Sequence, residues 1–158
     1  MHFSSSPFYC CVACLLVVGR LQAVEAPPWA HELSEIKPDA RVVWGKLENG
    51  LRYAILPNAN PKGRVYLQLY VAAGSMHERE DERGLAHVLG HVVFKGTERR
   101  TARQIAEQMD ALGGQMNAFT EREFVCYHVK VLAEHTPLAL ELLCDFVARP
   151  TLAQSDLE

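Results

Sequence analysis

No run of basic residues and no aromatic motif of the nucleobase-stacking kind occurs anywhere in the chain, which excludes nucleic acid as a partner. Internal repeats and low-complexity segments are also missing. Cysteine is scarce where it could matter. Of five, Cys10, Cys11 and Cys14 crowd into the first fourteen residues, leaving Cys126 and Cys144 without any Cys-x-x-Cys or Cys/His spacing. Both read as core residues, one on an expected strand and one on an expected helix, and the sequence does not bring them within bonding distance. The one conspicuous apolar run, residues 8–18, is too short for a stable membrane span.

That run nevertheless sets the front of the chain apart. Pro7 and Arg20 bracket it and the small residues Ala23 and Ala26 follow, the pattern of a secretory signal over residues 1–26. Its n-region is weak, since His2 is the only basic group before the run. The expectation is an exported protein, periplasmic or secreted. Arg20 and Glu25 cancel, so the remainder keeps the net charge of −3. Residues 27–41, with Pro27, Pro28 and Pro38, read as a linker into a single domain over residues 42–158.

Within that domain, residues 42–47 and 51–56 are strand-like and joined through Glu48-Asn49-Gly50, where Asn-Gly tolerates a positive φ. Residues 64–72 alternate: Val65, Leu67, Leu69 and Val71 point one way, Tyr66, Gln68 and Tyr70 the other, as in a half-buried strand. A polar stretch leads into a helix over residues 84–94. Thr101 and Gln104 form a capping box for a second helix, which Gly113-Gly114 stops. Residues 115–119 and 124–132 read as another hairpin, and Thr136-Pro137 opens a last helix that Pro150 ends. Residues 153–158 look like a helix just beginning, which suggests a fragment of a longer protein. The order of elements predicts an α+β fold: a largely antiparallel sheet with helices packed on one face.

The chemistry concentrates between Gly84 and Thr97. His87 and His91 stand four apart on the expected helix, hence on one face and one turn apart, where two imidazoles can converge on one zinc ion. Taken alone, such a pair is more often just a partly exposed pair of helical residues. Gly90 sits between them. His77, His128 and His135 read as ordinary surface or strand residues, and the Tyr66/Tyr70 pair as sheet packing.

Gly84-Leu85-Ala86-His87-x-x-x-His91 followed by Phe94-x-Gly96-Thr97 resembles the signature of the insulinase/pitrilysin family, the M16 metallopeptidases, whose motif is the inverted His-x-x-Glu-His. Leu47-Glu48-Asn49-Gly50-Leu51 resembles the family's first hairpin. Ala73-Gly74-Ser75 with Glu78 resembles its approach to the zinc helix, and Gly113-Gly114-x-x-Asn117-Ala118-x-Thr120 the segment beside its active site. The resemblance implies an M16, mitochondrial-processing-peptidase-like half-domain, truncated at its C-terminus. It also implies zinc held by His87 and His91, with a third ligand on a helix beyond residue 158. Asn117 and Ala118 would then bind a peptide or unfolded protein substrate at a strand edge, and a second M16-type domain or subunit would help to enclose that substrate.

At the place of the family's general base stands Gly90, which has no side chain to take a proton. A general base contributes about 10²–10⁴-fold, so the resemblance implies an impaired peptidase. Glycine inside a helix also costs about 1 kcal/mol relative to alanine, and glycine and glutamate codons can differ by a single base. Three readings stay open: a zinc peptidase domain, a non-catalytic subunit that binds peptides or assists an active partner, and a gene remnant.

Overall fold

The computed structural model describes residues 28–156. The expected signal segment, the three cysteines within it and Glu158 lie outside the described residues. Two antiparallel sheets form. In the first, β1 (Val43–Lys46) pairs with β2 (Arg52–Ile55), Lys46 opposite Arg52. The loop closes as expected from Asn49-Gly50: Leu47 N–H donates to Leu51 O at 2.8 Å and Gly50 N–H to Leu47 O at 2.9 Å. Ahead of this hairpin, Trp29 packs edge-on against Trp44, ring centroids 4.7 Å apart, and the Arg52 guanidinium lies over the Trp29 ring.

The second sheet has three strands in the order β3-β5-β4, all antiparallel: β3 (Arg64–Val71), β4 (Gln115–Thr120) and β5 (Val125–Leu132). β5 is central, pairing Val125 with both Val71 and Thr120, and Val129 with both Leu67 and Met116. The period of two sorts side chains cleanly. Val65, Leu67, Leu69 and Val71 of β3 share a face with Val125, Tyr127, Val129 and Val131 of β5 and with Met116 and Ala118 of β4. Against this face the core assembles with Val93, Ile105, Met109, Ala139, Leu142, Leu143 and Phe146.

The helices supply that second layer. α1 (Leu85–Val92) runs into a 3-10 turn at Val93–Lys95 and packs on β4 and β5; α2 (Ala102–Ala111) lies on β4; α3 (Thr136–Ala148) lies on β5 and β3. Thr101 caps α2 as expected, accepting from Gln104 N–H at 3.3 Å while the Gln104 side chain accepts from Thr101 N–H at 2.9 Å. The fold is therefore the mixed one expected, with helices on one face of an antiparallel sheet.

The other sheet face carries Tyr66, Gln68 and Tyr70 beside Cys126, His128 and Lys130, with Asn117 and Phe119 on β4. Tyr66 and Tyr70 pack there and remain about half exposed. Cys126 is buried beneath this aromatic layer, and burial pushes its thiol up from the ordinary range. Cys144 is buried within α3, and no disulfide joins the two.

Candidate metal centre and peptide edge

α1 is short, and its placement depends on what holds its ends. At the entry, Glu78 folds back under the helix: one carboxylate oxygen accepts from Ala86 N–H and the other from Gly84 N–H, both at 2.8 Å. These are amides that a helix start leaves without intrahelical partners, at the positive end of its dipole. The bonds, that to Ala86 first, lower the Glu78 pKa below its ordinary value. Gly84 takes φ +91° as it turns the chain into the helix, a conformation that glycine adopts at no steric cost.

The segment before Glu78 is docked on the β4–β5 turn. Met76 N–H donates to Arg122 O at 2.8 Å and Ser75 N–H to Glu121 O at 3.4 Å. The approach is so close that a Cβ on Gly74 would come within 2.4 Å of Glu121 O. Glycine is required there by space.

On α1 itself the Nε2 atoms of His87 and His91 stand 3.3 Å apart, their rings edge to face. Two nitrogens held about 2.0–2.1 Å from one zinc ion at a tetrahedral angle stand about 3.3 Å apart. The separation of the pair matches that spacing. Both rings are exposed. His77 lies in the turn before α1, its Nδ1 accepting from Gly74 N–H at 3.2 Å; His128 is on the far sheet face and His135 precedes α3. Among the described residues no three His, Cys, Asp or Glu side chains gather into a metal-holding group.

Gly90 occupies the flank of the His pair that faces the sheet and is buried. A Cβ built there would lie 3.2 Å from Thr120 Oγ1 and 3.9 Å from Val125 Cγ1. A larger residue could enter only if the Thr120 hydroxyl gave way by a few tenths of an ångström. The sequence showed no local reason for the glycine; the structure shows that α1 lies tightly on β4 and β5 at this point.

Asn117 and Ala118 are on β4, whose second edge is unpaired among the described residues. Ala118 N–H donates to Asn117 Oδ1 at 2.8 Å rather than to the ladder with β5. Because the N–H and C=O of one strand residue point the same way, the backbone groups of residues 116, 118 and 120 face this open edge. The Asn117 amide thus covers the middle donor of an edge that lies directly beside α1.

The far end of α1 is secured by a charged cluster. Asp145 of α3 is almost fully buried. Its carboxylate binds Arg100 Nη1 and accepts from Arg149 Nη1 at 3.1 Å, with Arg99 Nη1 at 3.6 Å. Glu141, one helical turn earlier, takes Arg100 Nη2 at 2.6 Å. Backbone bridges stitch the same loop down: Glu98 N–H donates to Arg149 O and Thr151 N–H to Gly96 O. Sequence reading missed this cluster: only Asp145 and Arg149 stand one helical turn apart, while Arg100 lies 41 and 45 residues from its two carboxylates. The stretch leading into the helix read only as polar, although the motif match at Glu78 was the available signal for the cap.

The model of the insulinase family, peptidase family M16, matches residues 53–158. The chain belongs to that family. It is 40% identical over 111 residues to the zinc protease YmxG of Bacillus subtilis, covering 70% of this chain and 27% of that protein. To the mitochondrial-processing peptidase subunit beta of Bos taurus it is 35% identical over 140 residues, 89% of this chain and 27% of the relative. Among solved structures, the periplasmic protease PqqL from Escherichia coli superposes with a TM-score of 0.71 at 28% identity, over 77% of this chain and 14% of that one. The chain thus spans about a quarter of the length of these curated relatives.

Proposed function

We propose that the chain is the metal-gripping, peptide-holding N-terminal domain of an exported M16-type zinc peptidase, with hydrolysis impaired by Gly90. The observation that carries this reading is the 3.3 Å separation of the His87 and His91 nitrogens on a helix lying against an open strand edge. His87 and His91 hold the ion, and a third ligand from beyond residue 158 completes its shell. Zinc, when bound, polarises a carbonyl and makes water nucleophilic near neutral pH.

The remaining work falls to the protein. An extended peptide, or a stretch of unfolded protein, adds to β4 by exchanging backbone hydrogen bonds with residues 116, 118 and 120. The Asn117 amide swings off Ala118 N–H as the peptide carbonyl takes its place, leaving its own NH₂ free to hold the strand. Position 90 should then supply the atom that receives the proton, and Gly90 offers none. A second M16-type domain or subunit encloses the substrate from the other side.

The test is Gly90→Glu in the protein as expressed, with zinc content and cleavage of a mixed peptide pool measured beside the unaltered protein. Chelator-sensitive cleavage should rise by about 10²–10⁴-fold. Equal cleavage by both proteins would show that position 90 is not where the base is missing.

A second reading has its own support. Gly90 removes the base, while the Glu78 cap, the His87/His91 pair and the β4 edge are kept. This favours a non-catalytic subunit that keeps the peptide edge and assists an active partner. Under it, Gly90→Glu stays inactive while peptide binding at β4 is retained.

A further inference from the structure

The sheet face opposite the helices carries a polar row that runs straight across its strands. In register, Gln68 of β3 and Asn117 of β4 both stand directly opposite His128 of β5. Tyr66 meets the His128 ring edge-on, centroids 5.7 Å apart, and Phe119 meets it tilted at 6.1 Å. Within this box His128 Nδ1 is fully buried and has no hydrogen-bond partner among the described residues. A buried nitrogen left bare is unfavourable. Further chain could only deepen its burial, so it is reached only by a side chain already packed around it.

The neighbours that could donate are few, and most are committed. The Gln68 amide nitrogen donates to Tyr66 Oη at 3.2 Å. Lys130 Nζ lies over the Tyr66 ring, and the Cys126 thiol donates to Tyr127 O at 3.9 Å. There remains Asn117, whose Oδ1 accepts from Ala118 N–H while its NH₂ has no partner among the described residues. Directly opposed strand residues hold their Cβ atoms about 4.5–5.5 Å apart. A turn of the Asn117 amide therefore brings one of its two N–H groups to His128.

We propose that His128 is a positioning residue of the peptide edge: it receives the Asn117 amide when that amide leaves Ala118 N–H. The imidazole carries its proton on Nε2 and accepts at Nδ1, and the second amide N–H remains for the incoming strand. The peptide-free state thus leaves one acceptor unsatisfied. Docking satisfies it while uncovering the Ala118 donor. This role rests on the peptide-edge reading and deepens it by a residue which that reading does not use.

Fluorescence anisotropy of fluorescein-labelled casein, an unfolded protein, with the 158-residue chain tests it. His128→Phe keeps a ring between Tyr66 and Phe119 but no acceptor, and should bind casein roughly three- to tenfold more weakly. It should nevertheless resist denaturant at least as well as the unaltered chain, because a bare buried acceptor is removed. His128→Asn, which returns an acceptor close to the place of Nδ1, should recover most of the affinity. Asn117→Ala added to His128→Phe should cost nothing further, since the two side chains act as one unit. Unchanged casein binding by His128→Phe would overturn the proposal, as would additive losses in the double variant. So would earlier unfolding of His128→Phe, or a His128→Asn variant no better than it. Casein binding absent from the unaltered chain would overturn the peptide-edge reading itself, and this role with it.

Discussion

The two ends of α1 are held in opposite ways. Its entry and its histidines are exposed, and its start is capped by one carboxylate on two backbone amides. Its exit leads into a loop clamped by a nearly buried aspartate under three arginines. Chemistry requires the face with both histidines to be reachable, so little apolar burial can stabilise it. The loop beyond Lys95 is tied down instead by charge and backbone hydrogen bonds. Rigidity is thus placed beside the candidate site rather than within it.

Breaking the clamp should have the largest effect. Asp145→Ala leaves Arg99 and Arg100 with Glu141 alone and takes this carboxylate from Arg149, and losing hydrogen bonds to a charged group costs about 1.5–3 kcal/mol. Denaturant unfolding should show that loss, while zinc bound per folded molecule stays unchanged. An equal loss of zinc would mean that the clamp sets the histidine geometry directly. His91→Ala should do the reverse: metal-free stability stays within about 0.5 kcal/mol, as for an exposed position, while zinc uptake falls by more than tenfold.

The Glu78 cap gives a smaller, pH-dependent effect. Its folded pKa lies below the unfolded value. The stabilisation is therefore complete above the ordinary glutamate range and is lost as pH falls through the depressed folded value. Glu78→Gln should lower the melting temperature at pH 7 and flatten its decline between neutral and acid pH. Parallel declines in both proteins would remove the cap from the account of acid sensitivity. Smallest of all, Asn117→Ala removes one hydrogen bond, worth about 0.5–1.5 kcal/mol. It should weaken peptide binding by no more than about tenfold and leave zinc binding as it was.

The contrast between the two ends also explains what the sequence could reveal. The histidine pair, the capping box at Thr101 and the Asn49-Gly50 hairpin are local: each depends on residues within four positions, and each lies in the structure where the sequence places it. α1 proves shorter than the expected residues 84–94, because its last turn tightens into a 3-10 turn at Val93–Lys95. The β4–β5 hairpin was legible from its two alternating runs, whereas the pairing of β3 with β5 across an intervening pair of helices was not. The Arg100–Asp145 contact was hidden for the same reason. Burial at Asp145 is a property of the packed layers: Arg149 four positions on is a visible helical partner, but nothing near Asp145 marks Arg99 or Arg100.

The close approach at Gly74 makes the β4–β5 turn and the entrance to α1 a single lever. There is no room for even a methyl group between Gly74 and the Glu121 carbonyl, and two backbone hydrogen bonds join that turn to the segment that feeds the histidine helix. A strand docking along β4 would push on one arm of this lever, and the two imidazoles ride on the other.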